Sequence, residues 1–191
     1  MSDWKDVWTA VHNSLSINKT KNTIWQQLHL NFYTQYSYNK WHKTQDLCPL
    51  CNKIPESIYH IILHCHFTNK LWQDIEPTLK KIHPFSVSDE EKAFGIAQKQ
   101  QKNEILLRNW ITYLLRNCIS EAERRAYKSK TVNIENTKII VKNTISVEIR
   151  IKAYQYKSTG NLPYFDKIIT HSGAICKKIG EGEYQVNPIF K

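Results

Sequence analysis

The chain has 191 residues, 41% of them hydrophobic, which suffices for the core of one domain or two small ones. Five glycines and six prolines argue for long helices rather than a turn-rich β fold, and no apolar run approaches the roughly 18 residues of a membrane span. A formal net charge of +10 and a pI near 9.3 favour polyanionic partners, nucleic acid first.

The first residues, MSDWKDVW, have the character of neither a signal nor a transit peptide. The five cysteines are therefore expected as free thiols in a reducing compartment, the nucleus or the cytoplasm. Trp4, Val7, Trp8, Val11 and Leu15 form one apolar helix stripe. Ser16 to Asn22 is polar and reads as a loop. Ile24, Trp25, Leu28, Phe32 and Tyr36 form a second stripe, so a second helix is expected roughly from Thr23 to Tyr38. The tryptophans of both stripes are expected in the core, with His29 packed beside them or on the surface.

From Trp41 to Trp72 the chain reads WHKTQDLCPLCNKIPESIYHIILHCHFTNKLW, with the skeleton Cys48-x2-Cys51-x8-His60-x4-Cys65. Three thiols and an imidazole so closely spaced can close a tetrahedron around Zn²⁺. Cys48 and Cys51 sit on a tight turn, Pro49 fixing one backbone angle. Ser57 is a candidate N-cap for a short helix with Ile58, Ile61 and Ile62 on its apolar side and His60 projecting. The fourth ligand has two candidates. His64 lies four residues after His60, on the same helix face. Cys65 lies five after, about 140° around an ideal helix, and reaches the metal only if the helix ends or unwinds there. Thiolate chemistry favours Cys65. A redox dithiol at Cys48-Cys51 would want a βαβ setting and leaves His60 and Cys65 unexplained. An odd cysteine count argues against a disulfide framework. A site closed by four protein ligands has no position for water, so its zinc would be structural.

Further along, Thr68 is a candidate cap for a helix with Leu71, Trp72 and Ile75 inside, ended or kinked by Pro77, and Lys80 to Val87 reads as connecting chain. Ser88 and Glu91 form a capping box for a short helix closed at Phe94-Gly95. Ala97 to Asn103 reads as solvent-facing. Leu107, Trp110, Ile111, Leu114, Leu115, Cys118, Ile119 and Ala122 make the widest apolar stripe of the chain, with Arg108, Arg116, Arg124 and Arg125 largely off it. Cys118 reads as a small buried hydrophobe. Glu90, Glu91 and Glu104 sit at helix starts, where the dipole favours acids. Tyr127 to Asn136 is a polar joint. From Thr137, Val141, Ile145, Ile149, Ala153 and Tyr156 fit one helix face, while Ile145, Val147, Ile149 and Ile151 also alternate as a strand would. The unbroken length favours a helix, ended by Ser158 to Asn161. Gly180-Glu181-Gly182, between AICKKI and YQVNPIF, predicts a C-terminal β-hairpin.

Residues 24 to 72 resemble the zinc-binding region that follows the polymerase domain in reverse transcriptases of non-LTR retrotransposons. The resemblance is carried by the aromatic helix Ile24-Trp25-Gln26-Gln27-Leu28-His29, then Cys48-Pro49-Leu50-Cys51, Glu56, His60, Cys65 and Trp72. It continues more loosely through Phe94-Gly95, the helix holding Trp110, and Tyr164-Phe165-Asp166-Lys167. It implies a C-terminal segment of such an enzyme that helps hold template RNA or target DNA during target-primed reverse transcription; the alternative is a zinc-stabilised interaction module whose apolar stripes dock on a polymerase domain. The sequence contains no Asp-Asp pair of the kind polymerases use to hold two metal ions, and no acidic cluster stands in for a nuclease. The expectation is a non-enzymatic, mainly α protein with one structural Zn²⁺ and a short C-terminal hairpin. Its zinc-binding part would span 1–83 and a second helical part 84–191. Phosphate contacts are expected from Lys80, Lys81, Arg124, Arg125, Lys128 and Lys130, with Lys177 and Lys178 as further basic positions.

Overall fold

The computed structural model describes residues 3–29, 47–98, 102–129 and 132–190. The fold is mainly α with a two-stranded C-terminal hairpin, as the apolar periodicities require. Helix α1 (Trp4–Asn13) starts at Asp3, whose carboxylate accepts from the Lys5 amide at 3.0 Å, and buries Val7, Ala10 and Val11. Helix α2 (Asn18–Leu28) begins inside the stretch read as a loop. The polar pattern there misleads because Thr20 points inward, its hydroxyl donating at 2.8 Å to Glu148, 128 residues away. Phe32, Tyr36 and the remainder of the expected second helix lie outside the described residues.

Helix α3 (His66–Ile82) is not ended by Pro77, and it absorbs part of the stretch taken for connecting chain. A proline inside a helix costs about 3 kcal/mol. Leu79 and Ile82, buried beyond it, each return about 1.5–3 kcal/mol, and the Thr78 hydroxyl donates to the Ile189 carbonyl at 2.7 Å. Thr68 is not the cap of α3, which begins from Cys65. Helix α4 (Asp89–Phe94) starts at the expected Ser88 cap, the Ser88 hydroxyl accepting from the Glu91 amide at 3.1 Å, while the Glu91 carboxylate, the other half of the expected box, turns to Arg108. Gly95 ends it at φ 75°, and a Cβ there would overlap the Tyr113 ring.

Helix α5 (Asn103–Ser129) runs through the middle of the molecule, packing on α2, α3 and α4. Helix α6 (Ile134–Ser158) lies along it, capped by Asn133. Val141, Ile145, Ile149 and Ala153 are buried, while Val147, Ile151 and Tyr154 face out, so helix and not strand periodicity rules this segment. Tyr156 stacks on Phe165 at 5.1 Å. A further helix, α7 (Leu162–Ile169), has no counterpart among the sequence expectations. It buries Leu162, Phe165, Ile168 and Ile169, and Pro163 in its first turn was its available signal. Strands β1 (Cys176–Gly180) and β2 (Glu183–Val186) pair antiparallel, Cys176 opposite Val186 and Lys178 opposite Tyr184.

Because α5 is central, it is buried nearly all round. Arg108 and Arg116, expected off its apolar stripe, are 0% and 1% exposed. Both Arg108 and Arg116 find acceptors on neighbouring elements. The Arg108 guanidinium clamps Glu91 through two bonds of 2.5 and 2.7 Å and donates to the His83 and Phe85 carbonyls at 2.5 and 3.0 Å. Arg116 donates to the Ala93 carbonyl, and its burial lowers its pKa to about 10. Glu91 thus serves as the buried counterion of Arg108, a role beyond compensation of a helix dipole. One hydrophobic cluster gathers side chains from Leu15 to Ile189 around Leu107, Trp110, Ile111, Leu114 and Ile119. Trp72 and Trp110 are in it, and Cys118 is buried as expected. Trp4 and Trp25 are not in the core but 50% and 45% exposed. Trp4 spends its ring area on Trp8 and Phe94 at 6.4 and 5.7 Å, and Trp25 on His29 at 4.2 Å.

Candidate metal centre

The first two thiols are presented by a loop closed on itself. The Cys48 amide donates to the Ile54 carbonyl at 2.8 Å, and the Asn52 amide to the Cys48 carbonyl at 2.7 Å. A bridge between Leu47 and Pro55 closes the base. Asn52 takes the left-handed conformation, φ 54°, that such a reversal needs and that asparagine tolerates. This loop turns Cys48 and Cys51 toward the same side.

The second pair comes from a short helical segment capped by Ser57, whose hydroxyl accepts from the His60 amide at 3.0 Å. Over His60–His64 that segment widens to a π turn. The Cys65 amide donates to the His60 carbonyl, five residues back, at 2.6 Å. An i to i+5 bond widens the turn, which brings residues five apart to nearly the same face and reduces the 140° offset of an ideal helix. Cys65 then turns extended, ψ 130°, and begins α3. The Trp72 indole N–H donates to the Ile62 carbonyl at 3.0 Å, tying α3 to the widened turn. His64 and His66 are exposed.

The ligand atoms of Cys48, Cys51, His60 and Cys65 lie within 4.8 Å of one another. The Cys48 and Cys65 sulfurs are 4.0 Å apart, and the Cys51 sulfur is 3.4 Å from His60 Nε2. A tetrahedron with Zn–S bonds of about 2.3 Å has edges of about 3.8 Å. The donor set and its spacing therefore fit a tetrahedral zinc ion. Cys48, Cys65 and His60 are buried, so a cation held there is shielded from solvent. The Cys65 thiol is pulled down by the hydrogen bond from Cys48 and by the Phe67 and Thr68 amides at the start of α3, against the cost of its burial. Its partner Cys48 is pushed up by the same bond and by burial.

Behind the loop lies a buried acidic pair that sequence reasoning did not identify as a pair. Glu56 and Glu123 are each 1% exposed. Tyr127 donates to Glu56, and burial followed by the neighbouring Glu56 pushes the Glu123 carboxyl up to about 10. An acid raised in the folded state contributes stability fully present below its unfolded pKa and lost as pH rises through the folded one. The contribution of Glu123 to stability should fall from about pH 4.5 upward. Glu123→Gln is expected to remove that slope and to raise the melting temperature at pH 8 by about 2–4 °C, the equivalent of about 1 kcal/mol. An unchanged pH profile in thermal melts would show that burial does not hold the Glu123 carboxyl protonated.

The basic positions singled out in the sequence fall on three elements. Lys80 and Lys81 end α3, with Lys80 paired to Glu76 at 3.0 Å and Lys81 exposed. Arg124 and Arg125, near the end of α5, both pair with Glu121, at 2.6 and 3.3 Å. Lys128 is exposed in the last turn, and Lys130 lies outside the described residues. On β1, Lys177 is exposed and Lys178 binds Asp166 at 2.5 Å. Among the described residues no helix is long and apolar enough to cross a membrane.

Residues 1–72 match the family model described as zinc-binding in reverse transcriptase. Those 72 of 191 residues contain all four converging side chains. The N-terminal segment is thus similar to the zinc-binding region of reverse transcriptases. No match is found among curated proteins or solved structures.

Proposed function

We propose that the chain is a nucleic-acid-binding zinc module of the kind found in the C-terminal segment of a non-LTR retrotransposon reverse transcriptase. One observation carries this reading: three thiols and an imidazole converge within 4.8 Å inside a segment matched to zinc-binding in reverse transcriptase. Cys48, Cys51, His60 and Cys65 hold Zn²⁺, and the closed coordination makes the ion a structural pin that joins the Cys48–Ile54 loop to the start of α3. RNA or DNA is held mainly through phosphates by the basic surface, in keeping with the net charge of +10. The chain carries no catalytic step of its own and works inside the cell, in the nucleus or the cytoplasm.

Binding should weaken steeply with salt, by a log–log slope of about −0.7 per phosphate contact on a single strand and about −0.9 on duplex DNA. The measurement is a titration of short RNA and DNA at several salt concentrations, with Arg124→Ala/Arg125→Ala beside the wild type. Both arginines already share Glu121, so the double substitution should cost only a few-fold and act uniformly across sequences. If the wild type binds neither polymer at low salt, the nucleic-acid reading is wrong.

The second reading, docking on a polymerase domain, is favoured by one feature. A cavity of about 130 Å³ with mostly apolar walls opens between α1, α4 and the π turn, with Trp4 and Tyr59 on its rim. These two rings are 50% and 56% exposed, the kind of aromatic surface that interfaces use. Pull-down of a purified polymerase domain, lost in Trp4→Ala/Tyr59→Ala, would support it.

A further inference from the structure

Of the basic residues expected to meet phosphate, Lys80, Arg124, Arg125 and Lys178 are tied to carboxylates, and a different pair, outside that set, lines a groove. The groove, of about 550 Å³, runs between α6 and the C-terminal hairpin. Lys142 and Arg150 of α6 line it and are exposed. Neither has an acidic partner at ion-pair distance among the described residues, in contrast to the nearby Lys157–Glu181 and Lys178–Asp166 pairs at 3.3 and 2.5 Å. Eight residues apart on a helix, they stand about 12 Å from each other along its axis, far enough to meet different phosphates. The one acid lining the groove, Glu183, folds back on its own turn, with its Oε2 3.0 Å from where a Cβ of Gly180 would be.

The opposite wall is apolar. Ile179 is 66% exposed, an unusual place to leave a large aliphatic side chain beside two cations. Tyr184 lines the same wall with its orientation set on two sides. Its hydroxyl donates to Asp166, and its ring meets Phe165 edge-on at 5.8 Å. Unpaired cations facing apolar and aromatic surface across a groove match the chemistry of a nucleic-acid strand whose bases are not already stacked in a duplex.

We infer that the groove between α6 and the hairpin binds single-stranded RNA or DNA, Lys142 and Arg150 on its phosphates, Ile179 and Tyr184 against its bases. This rests on the reading of the chain as a nucleic-acid binder, and it moves the main contact away from Arg124 and Arg125. A double-stranded ligand offers phosphates but hides its base faces, so it cannot use the hairpin wall.

The test is fluorescence anisotropy with a short mixed-sequence single strand and its duplex, using the whole chain loaded with zinc. Lys142→Ala/Arg150→Ala is compared with the wild type and with Lys142→Arg/Arg150→Lys, and circular dichroism verifies that each variant is folded. Two lost contacts should make the salt slope on the single strand shallower by about 1.4 and lower the affinity on the order of 20-fold at 0.1 M salt. The charge-conserving variant should keep both, and Ile179→Ala should weaken single-strand binding without changing the slope. If the wild type binds but the alanine double variant keeps its affinity and slope, the groove is not the site, while the nucleic-acid reading stands. Equal losses on single strand and duplex would overturn the single-strand assignment. A wild type that binds neither polymer at low salt removes both the groove and the reading beneath it.

Discussion

Cys48→Ser is expected to strip the chain of its zinc and to unfold the loop and π turn that carry the other three donors. Wild-type protein should hold one zinc per chain by metal analysis. Structural zinc contributes on the order of 10 kcal/mol or more in peptide systems, larger than the whole stability of many domains. Little else organises the Cys48–Ile54 loop, whose backbone closure rests on two hydrogen bonds and the Leu47–Pro55 bridge. Loss should extend into α3, because Cys65 forms its start and Trp72 anchors it to the turn. Cys65→Ser should do equal damage, whereas His64→Ala, at an exposed position, should leave the metal content unchanged. Full zinc retention in Cys48→Ser, or greater loss in His64→Ala than in Cys65→Ser, would overturn the ligand set.

Arg108→Met should destabilise the fold by about 3–5 kcal/mol, because it leaves the Glu91 carboxylate buried with no counterion. The guanidinium also satisfies the His83 and Phe85 carbonyls, which follow the end of α3. The pair therefore locks α3, α4 and α5 together at one point. For a chain of this size about 1 kcal/mol corresponds to 2–4 °C, so the melting temperature should drop by roughly 6–20 °C. Removing both charges with Arg108→Met/Glu91→Met should recover part of the loss, since a buried ion pair often exchanges for apolar packing at little cost. Recovery should stay incomplete because the two carbonyls remain unsatisfied. Denaturant titration of the three variants measures this. A single variant within 1 kcal/mol of wild type would mean that the pair is solvated and not buried as described.

The two predictions probe different kinds of information in the chain. The metal-centre candidates were visible because the necessary pattern is local: two thiols separated by a turn, then an imidazole and a thiol within one short helix. The long helices were visible for a similar reason, since burying one face imposes a period of 3.6 on apolar residues. That rule identified α6 despite its strand-like alternation, and the glycines at the hairpin turn marked β1 and β2. Where the rule was read with too few residues it failed. Helix α7 is only eight residues long, and the start of α2 was hidden by polar side chains turned inward.

By itself the sequence determined the helical class, the hairpin and the candidate donor set, because each depends on neighbours along the chain. Tertiary structure decided which polar groups are interior. Arg108 finds Glu91 seventeen residues away, and Thr20 finds Glu148 at a separation of 128. Burying a charged side chain such as Arg108 is costly unless a partner is brought to it, and where that partner sits on a distant element no local pattern encodes it. The same holds at the metal centre. Both His64 and Cys65 were within reach in the sequence, and a single i to i+5 bond from the Cys65 amide to the His60 carbonyl places the cysteine, not the histidine, with the other three donors. That bond is a choice of backbone winding, made where α3 must depart to bury Phe67, Leu71 and Trp72.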